Sequence, residues 1–272
     1  MRIIHIGDVI GKPGRQAVHK YMPQIRSALK PDLIILNGEN AAHGFGITAK
    51  ICEEFYEMGV DCITTGNHVW DQRTIIEQIE DDPRLLRPAN FPSKAAGKGT
   101  YIGTTKSGQK YLVVNIMGRV FMDPLDDPFR VMQEILQFNQ LKNDVDAIFV
   151  DIHGEASSEK MAMAHYLDGK VSAVVGTHTH IPTADAQILN NGTAYQTDSG
   201  MTGSFDSVVG MEKGPSIQKF VTKMRGEKHV PAQEHVSLCG VFVETDDETG
   251  LAIKIEPIRL GGRLSQTPLT AI

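Results

Sequence analysis

Five short apolar runs in this chain each end in a side chain that can bind a proton or a metal ion. "RIIHIG" (2–7) leads into Asp8, and "DLIILN" (32–37) into Gly38, Glu39 and Asn40. "VDCITTG" (60–66) leads into Asn67 and His68, "DAIFVDI" (146–152) into His153, and "VSAVVG" (171–176) into His178 and His180. Amphipathic stretches lie between several of the runs. That alternation predicts parallel strands with helices covering the sheet faces. In such sheets ligands bind beyond the carboxyl ends of the strands, so these polar side chains are expected to converge although far apart in sequence.

The expected helices are 15–30, 48–59, 71–82, 127–141 and 157–167, with Thr48, Asp71 and Asp127 as N-cap candidates. Pro128 fits the first helical position, Gly59 a helix stop, and Pro23 a kink or restart. Segments 99–105 and 109–118 read as β-strands. So do two hairpins, 184–198 around Asn191-Gly192 and 235–260 around "DETG". With no repeat, linker or low-complexity tract, the expectation is one α/β domain spanning residues 1–272, with more strands than a doubly wound sheet needs.

Net charge is −6 over 272 residues, which gives no basic footprint for tight nucleic-acid binding. Cys52, Cys62 and Cys239 are scattered, with no C-x-x-C pair, so neither a disulfide framework nor a thiolate zinc site is signalled. A reducing, cytoplasmic setting fits. The N-terminus lacks a signal-peptide core, and the apolar runs are too short to span a membrane.

Each strand-end residue has an ordinary reading. Asp8 and Glu39 could be turn residues, Asn67–His68 could cap the next helix, and His153 could be a hydrogen-bonded core histidine. The pair His178/His180 is harder to dismiss, because two close imidazoles repel if both are protonated. Taken together, the Asp, Glu, Asn and His donors suit Mn, Fe, Zn or Mg. They are too many for one ion but enough for two sharing a carboxylate.

The order "GD", "GEN", "GNH", a lone His and "GTHTH" resembles the calcineurin-like metallophosphoesterase superfamily. "GDVIGKPGR", "NGENAAHGFGIT", "TTGNHVWD", "SSEKMA", "VVGTHTHIPTAD" and the "TD-GMTG" loop resemble its YmdB-like bacterial branch more closely. The resemblance implies a four-layer α/β/β/α sandwich of two mixed sheets. It also implies two divalent ions per subunit, one on Asp8, Glu39, Asn40 and His180, the other on Glu39, Asn67, His153 and His178. Fe or Mn leads, with Mg or Zn as alternatives. His68 would be a general acid rather than a ligand. Two positions depart from the superfamily pattern. Ile10 stands where a second ligand is usual, with Asn40 as its substitute, and Val69 replaces the acid after His68, with Asp71 available to orient it.

The implied activity is hydrolysis of 2′,3′- or 3′,5′-cyclic nucleotides, with RNA as a further substrate and a homo-oligomer allowed. A bridging water whose pKa falls from 15.7 toward ~7 would be the nucleophile. The alternatives are a phosphomonoesterase or protein phosphatase, and a weakly catalytic, metal-stabilised regulatory protein. In the loop 197–211, Thr202, Gly203 and Phe205 are candidates for substrate contact. Phe205 either stacks on a base or lies in the core.

Overall fold

The computed structural model describes residues 1–224 and 226–272. Two six-stranded mixed sheets form it. In the first, β1 (Arg2–Ile6), β2 (Leu33–Asn37) and β3 (Cys62–Thr64) run parallel. The antiparallel β11 (Val236–Thr245) adds to the free side of β1, and β12 (Ala252–Leu260) and the short β10 (Gly203–Ser204) add to β11. In the second sheet, β5 (Lys110–Met117), β6 (Ala147–His153), β7 (Ala173–Thr177) and β9 (Ala194–Gln196) run parallel. The antiparallel edge strands β4 (Thr100–Thr104) and β8 (Gln187–Ile188) flank them.

Both expected hairpins form, 184–198 as β8–β9 and 235–260 as β11–β12. The parallel strands are buried on both faces, which is why they read as continuous apolar runs rather than alternating ones.

Three apolar clusters define the layers. Ile3, Leu33 and Ile35 of one sheet meet Val113, Phe149 and Val175 of the other between the sheets. The outer face of the first sheet packs on α1 (Gly11–Leu29) and α2 (Ala49–Glu57), through residues such as Val18, Ile25 and Phe55. The outer face of the second packs on α4 (Pro128–Gln137) and α5 (Ser157–Leu167), through Met132, Met163 and Leu167. The result is the α/β/β/α sandwich that the resemblance implies.

The helices differ from expectation in three places. α1 begins at Gly11, not Arg15, because Pro13 falls in the first turn, where its missing N–H breaks no helical bond. It then runs through Pro23 without a restart. The stretch expected as helix 71–82 is helical only at α3 (Ile75–Gln78). Asp71, expected as its cap, instead bonds His68, and Gln72 bonds the Phe45 carbonyl. A helix that was not expected, α6 (Lys213–Thr222), follows the loop that ends near Met211. Its apolar side chains face away from the core, with only Ser216 buried, so it shows no core-facing stripe. Asp127 caps α4 as expected, accepting from Phe129 N and Arg130 N. Among the described residues no helix is long and apolar enough to cross a membrane.

Candidate metal centre

The carboxyl ends of β1, β2, β3, β6 and β7 meet at one end of the sandwich. Two groups of side chains assemble there, Asp8–Glu39–His180 and Glu39–His153–His178, each with ligand atoms within 4.8 Å of one another. Glu39 belongs to both. His153 Nε2 lies 3.3 Å from Glu39 Oε1 and 3.0 Å from Asn67 Oδ1. Asn40 Nδ2 sits 3.0 Å from Glu39 Oε1 and 3.3 Å from His180 Nε2. Turning that amide about its last bond would present Oδ1 in the same place.

Close approach has a backbone requirement. A Cβ at position 66 would collide with His153 Nε2 and Glu39 Oε2, so only glycine lets β3 end this near the cluster.

Charge is finely balanced at the centre. Burial pushes the Asp8 carboxyl up to about 6, against the opposing pull of His180 and His153. Burial also pushes Glu39 up, but the charge and hydrogen bond of His153, with His68, outweigh it and bring Glu39 to about 2. Burial pulls His153 down, yet Glu39 raises it to about 8. Burial and then the neighbouring His153 hold His178 down to about 3, leaving it neutral. Asp8 Oδ1 is fully buried and has no hydrogen-bond partner among the described residues. A buried carboxylate oxygen without a donor is costly. An orphaned carboxylate, imidazoles and amides, with no sulfur, fit a hard or borderline divalent cation.

The histidines are oriented from behind. His153 Nδ1 lies 3.0 Å from Thr177 Oγ1, which in turn donates to Asp151 Oδ1 at 2.6 Å. Burial pushes Asp151 up, but the nearby His5 imidazole, 3.6 Å away, and bonds from Thr177 and Thr64 outweigh it and keep it low, hence an acceptor. The hydroxyl proton is therefore committed to Asp151. Thr177 must accept from His153 Nδ1–H, which leaves Nε2 as the ring nitrogen that faces Glu39 and Asn67. His180 Nδ1 donates to the Val209 carbonyl at 2.8 Å, which leaves its Nε2 free in the same way.

His178 and His180 both have left-handed backbone, with φ of 94° and 70°. Such residues cost about 1–3 kcal/mol each and persist only where the surroundings over-determine them. Here Asp198 does so from between them. Its Oδ2 accepts from Thr179 N at 3.0 Å and Thr179 Oγ1 at 2.7 Å. Lys160, buried on α5, donates to that same oxygen at 2.9 Å and to the Thr177 carbonyl at 2.6 Å. His178 N also donates to Asp8 Oδ2 at 3.2 Å.

His68 stands at the edge of the cluster. Its backbone N donates to Glu39 Oε2, and its Nδ1 lies 2.8 Å from Asp71 Oδ2. The free ring nitrogen is therefore Nε2, and the residue lines a cleft of about 480 Å³ with Glu39, Asn40, His178 and His180.

The structure thus brings Asp8, Glu39, Asn40, Asn67, His68, His153, His178 and His180 together. It does not bring the three loop candidates to the cleft. Thr202 is buried behind Asp8, where its backbone N bonds the Asp8 carbonyl. Gly203 pairs in β10, and Phe205 packs on the buried Ile10, Met201 and Met211. Val208, Val209 and Met211, later in the same loop, line the cleft instead. Glu155, part of the His-Gly-Glu segment that carries the resemblance but given no role there, also reaches the cluster. Its Oε2 lies 3.3 Å from His178 Nε2, and its position two residues past His153 was the available signal.

Residues 4–258 match the model of the family described as YmdB-like protein. The chain belongs to the YmdB-like family. It is 47% identical over 259 residues to a 2′,3′-cyclic-nucleotide 2′-phosphodiesterase of Bacillus subtilis (strain 168), covering 95% of this chain and 96% of that one. A crystal structure of a hypothetical protein from Thermus thermophilus superposes with a TM-score of 0.89 at 41% identity, covering 97% of this chain and 100% of the other. A structure described as a novel phosphatase of Mycoplasma pneumoniae superposes with a TM-score of 0.89 at 36% identity, covering 96% and 94%. This YmdB-like chain is accordingly a hydrolase of the metallophosphoesterase type.

Proposed function

We propose that the chain is a phosphodiesterase that opens cyclic nucleotides at a pair of divalent ions. The observation that carries this is the sharing of Glu39 between two ligand groups on the floor of one cleft. Asp8, Asn40 and His180 would complete one ion's set, and Asn67, His153 and His178 the other's. Fe or Mn fits the mixed oxygen and imidazole donors, with Mg or Zn as alternatives. Such ions supply Lewis acidity, a water acidic enough to attack near neutral pH, and neutralisation of the phosphoryl oxygens.

The protein's own groups do the rest. Asp71 holds His68 by Nδ1, so that Nε2 can carry a proton to the departing ribose oxygen. Asp151 and Thr177 hold His153 by Nδ1, so that Nε2 faces the cluster and would give its lone pair to a bound ion. The Bacillus relative's name supports 2′,3′-cyclic nucleotides as the first substrate to test. 3′,5′-Cyclic nucleotides and RNA are further arms of the same assay. The name of the Mycoplasma structure supports a second reading, a phosphomonoesterase on the same ions.

Protein saturated with Mn²⁺ and freed of excess metal should retain two ions per chain. It should convert 2′,3′-cAMP to a monoester, and a chelator should abolish turnover. At most one ion at saturation would defeat the shared-carboxylate centre. Phosphate release from AMP, with the cyclic nucleotides untouched, would establish the monoesterase instead.

A second expected result concerns the groups behind the ligands. Thr177→Val removes the acceptor for His153 Nδ1–H and should weaken Mn²⁺ binding by about 10–100-fold. Titration calorimetry measures this, and Thr177→Ser, which keeps the hydroxyl, should restore most of the affinity.

A further inference from the structure

The cleft joins the polar candidate ligands to a stretch of lining that includes several apolar side chains. Phe45 sets its ring edge-on to His68, with 5.1 Å between centroids. Beyond it the lining passes through Val209 and Met211 to Phe220 on α6. Phe220 is 70% exposed. A large ring left in water at the mouth of a polar site is an apolar face awaiting a cover. Its neighbour Lys219, also exposed, is the one lysine or arginine among the described lining residues. An aromatic ring and a cation, neighbours on α6, therefore line the same cleft as Glu39, His178 and His180.

Nucleotide chemistry says what reaches them. The 2′ and 3′ oxygens leave one edge of a ribose ring. The base, on C1′, and the 5′ carbon, on C4′, leave the opposite edge. A 2′,3′-cyclic phosphate seated at the candidate ligands thus sends both the base and the 5′ group away from them. In a 3′,5′-cyclic nucleotide the 5′ oxygen is already tied into the phosphate ring and can carry nothing to Lys219.

We propose that α6 is the nucleoside-binding wall of this enzyme, with Phe220 stacking on the base and Lys219 pairing with a phosphate on the 5′ oxygen. The selected substrate class is a 2′,3′-cyclic nucleotide bearing a 5′-phosphate, whether a free mononucleotide or the 3′ end of an oligoribonucleotide. This rests on the phosphodiesterase reading above and adds to it a direction of binding and a preference between cyclic isomers.

The test is steady-state kinetics with Mn²⁺ on four substrates: bis-p-nitrophenyl phosphate, 2′,3′-cAMP, its 5′-phosphorylated form, and an adenylyl dinucleotide ending in a 2′,3′-cyclic phosphate. In the unmodified enzyme a 5′-phosphate should lower KM about 3–5-fold, the range of an exposed ion pair. Lys219→Gln should erase that difference. Phe220→Ser should lower the ratio of kcat/KM for 2′,3′-cAMP to that for the aryl diester about tenfold, as loss of one stacked base does. Both positions are exposed, so both variants should fold. Calorimetric binding of adenosine 5′-phosphate, which needs no turnover, should weaken in each.

The dinucleotide separates the two sources. If it shares the KM advantage, Lys219 reads a backbone phosphate of RNA; if only the 5′-monoester does, the substrate is a mononucleotide. Equal KM with and without any 5′-phosphate overturns the role of Lys219. An unchanged ratio in Phe220→Ser, with an altered mass by light scattering, overturns the wall and makes α6 a contact between copies. Hydrolysis of the aryl diester with no nucleotide cleaved defeats the cyclic-nucleotide reading itself, a result distinct from either.

Discussion

Replacing Lys160 with methionine should lower the unfolding free energy by about 3–5 kcal/mol. Lys160 and Asp198 are 1% and 0% exposed, and their charged atoms lie 2.9 Å apart. Methionine fills the stem of the lysine but leaves the Asp198 carboxylate buried with only neutral donors, the Thr179 hydroxyl and the amides of Thr179 and Gly200. The double variant Lys160→Met/Asp198→Asn carries no uncompensated charge and should recover much of the loss. Denaturant unfolding of the wild type, the two single variants Lys160→Met and Asp198→Asn, and the double variant measures the cycle. A loss below about 1 kcal/mol in Lys160→Met would place this pair with exposed ion pairs, which contribute little. The effect should reach the centre as well. Asp198 anchors Thr179, and Thr179 lies between two histidines whose left-handed backbone needs that support. In Lys160→Met, Mn²⁺ affinity should therefore fall together with stability, and the double variant should show how much of the affinity depends on the charge itself.

Replacing His68 with alanine should slow hydrolysis of 2′,3′-cAMP by about 10²–10⁴-fold, the usual contribution of a placed general acid. The metal content should be unchanged, because His68 lies outside both candidate ligand groups. A ribose alkoxide is a poor leaving group and needs the proton; p-nitrophenolate does not. The loss on bis-p-nitrophenyl phosphate should therefore be far smaller. Asp71→Asn should fall between, since the ring keeps its place but loses the carboxylate on Nδ1. Rate measurements on both substrates, beside metal analysis of the variants, decide the matter. Equal losses on the two substrates, or loss of an ion, would show that His68 is not the acid.

Much of the framework was legible in the chain because its signals are local. Continuous apolar runs such as "LIILN" and "AIFVDIH" mark strands buried on both faces, and the residues that follow them must emerge at the carboxyl edge of a sheet. Asp8, Glu39, Asn67, His68, His153, His178 and His180 could be picked out for that reason alone. Other features turn on how distant segments pair, and composition does not encode this. Glu39 enters both ligand groups only because two separate sheets end at the same place. The Lys160–Asp198 pair depends on α5 packing against β7 and on the loop after β9. Asp71 had the local pattern of a helix cap, but the tertiary arrangement offered it His68, and the helix shortened to Ile75–Gln78.

The cleft wall was the least legible part. Phe205 and Phe220 are equally aromatic in sequence, yet one packs on Ile10 and Met201 and the other lines the cleft. A helix that leaves Ile217, Phe220 and Val221 exposed and buries only Ser216 carries no core-facing periodicity, so α6 could be found only once the chain was folded. The sequence by itself determined which groups could do the chemistry, because each follows a strand that local patterning specifies. Tertiary structure alone decided how those groups are paired, oriented and walled in, because that depends on sheet register and packing between segments far apart in the chain.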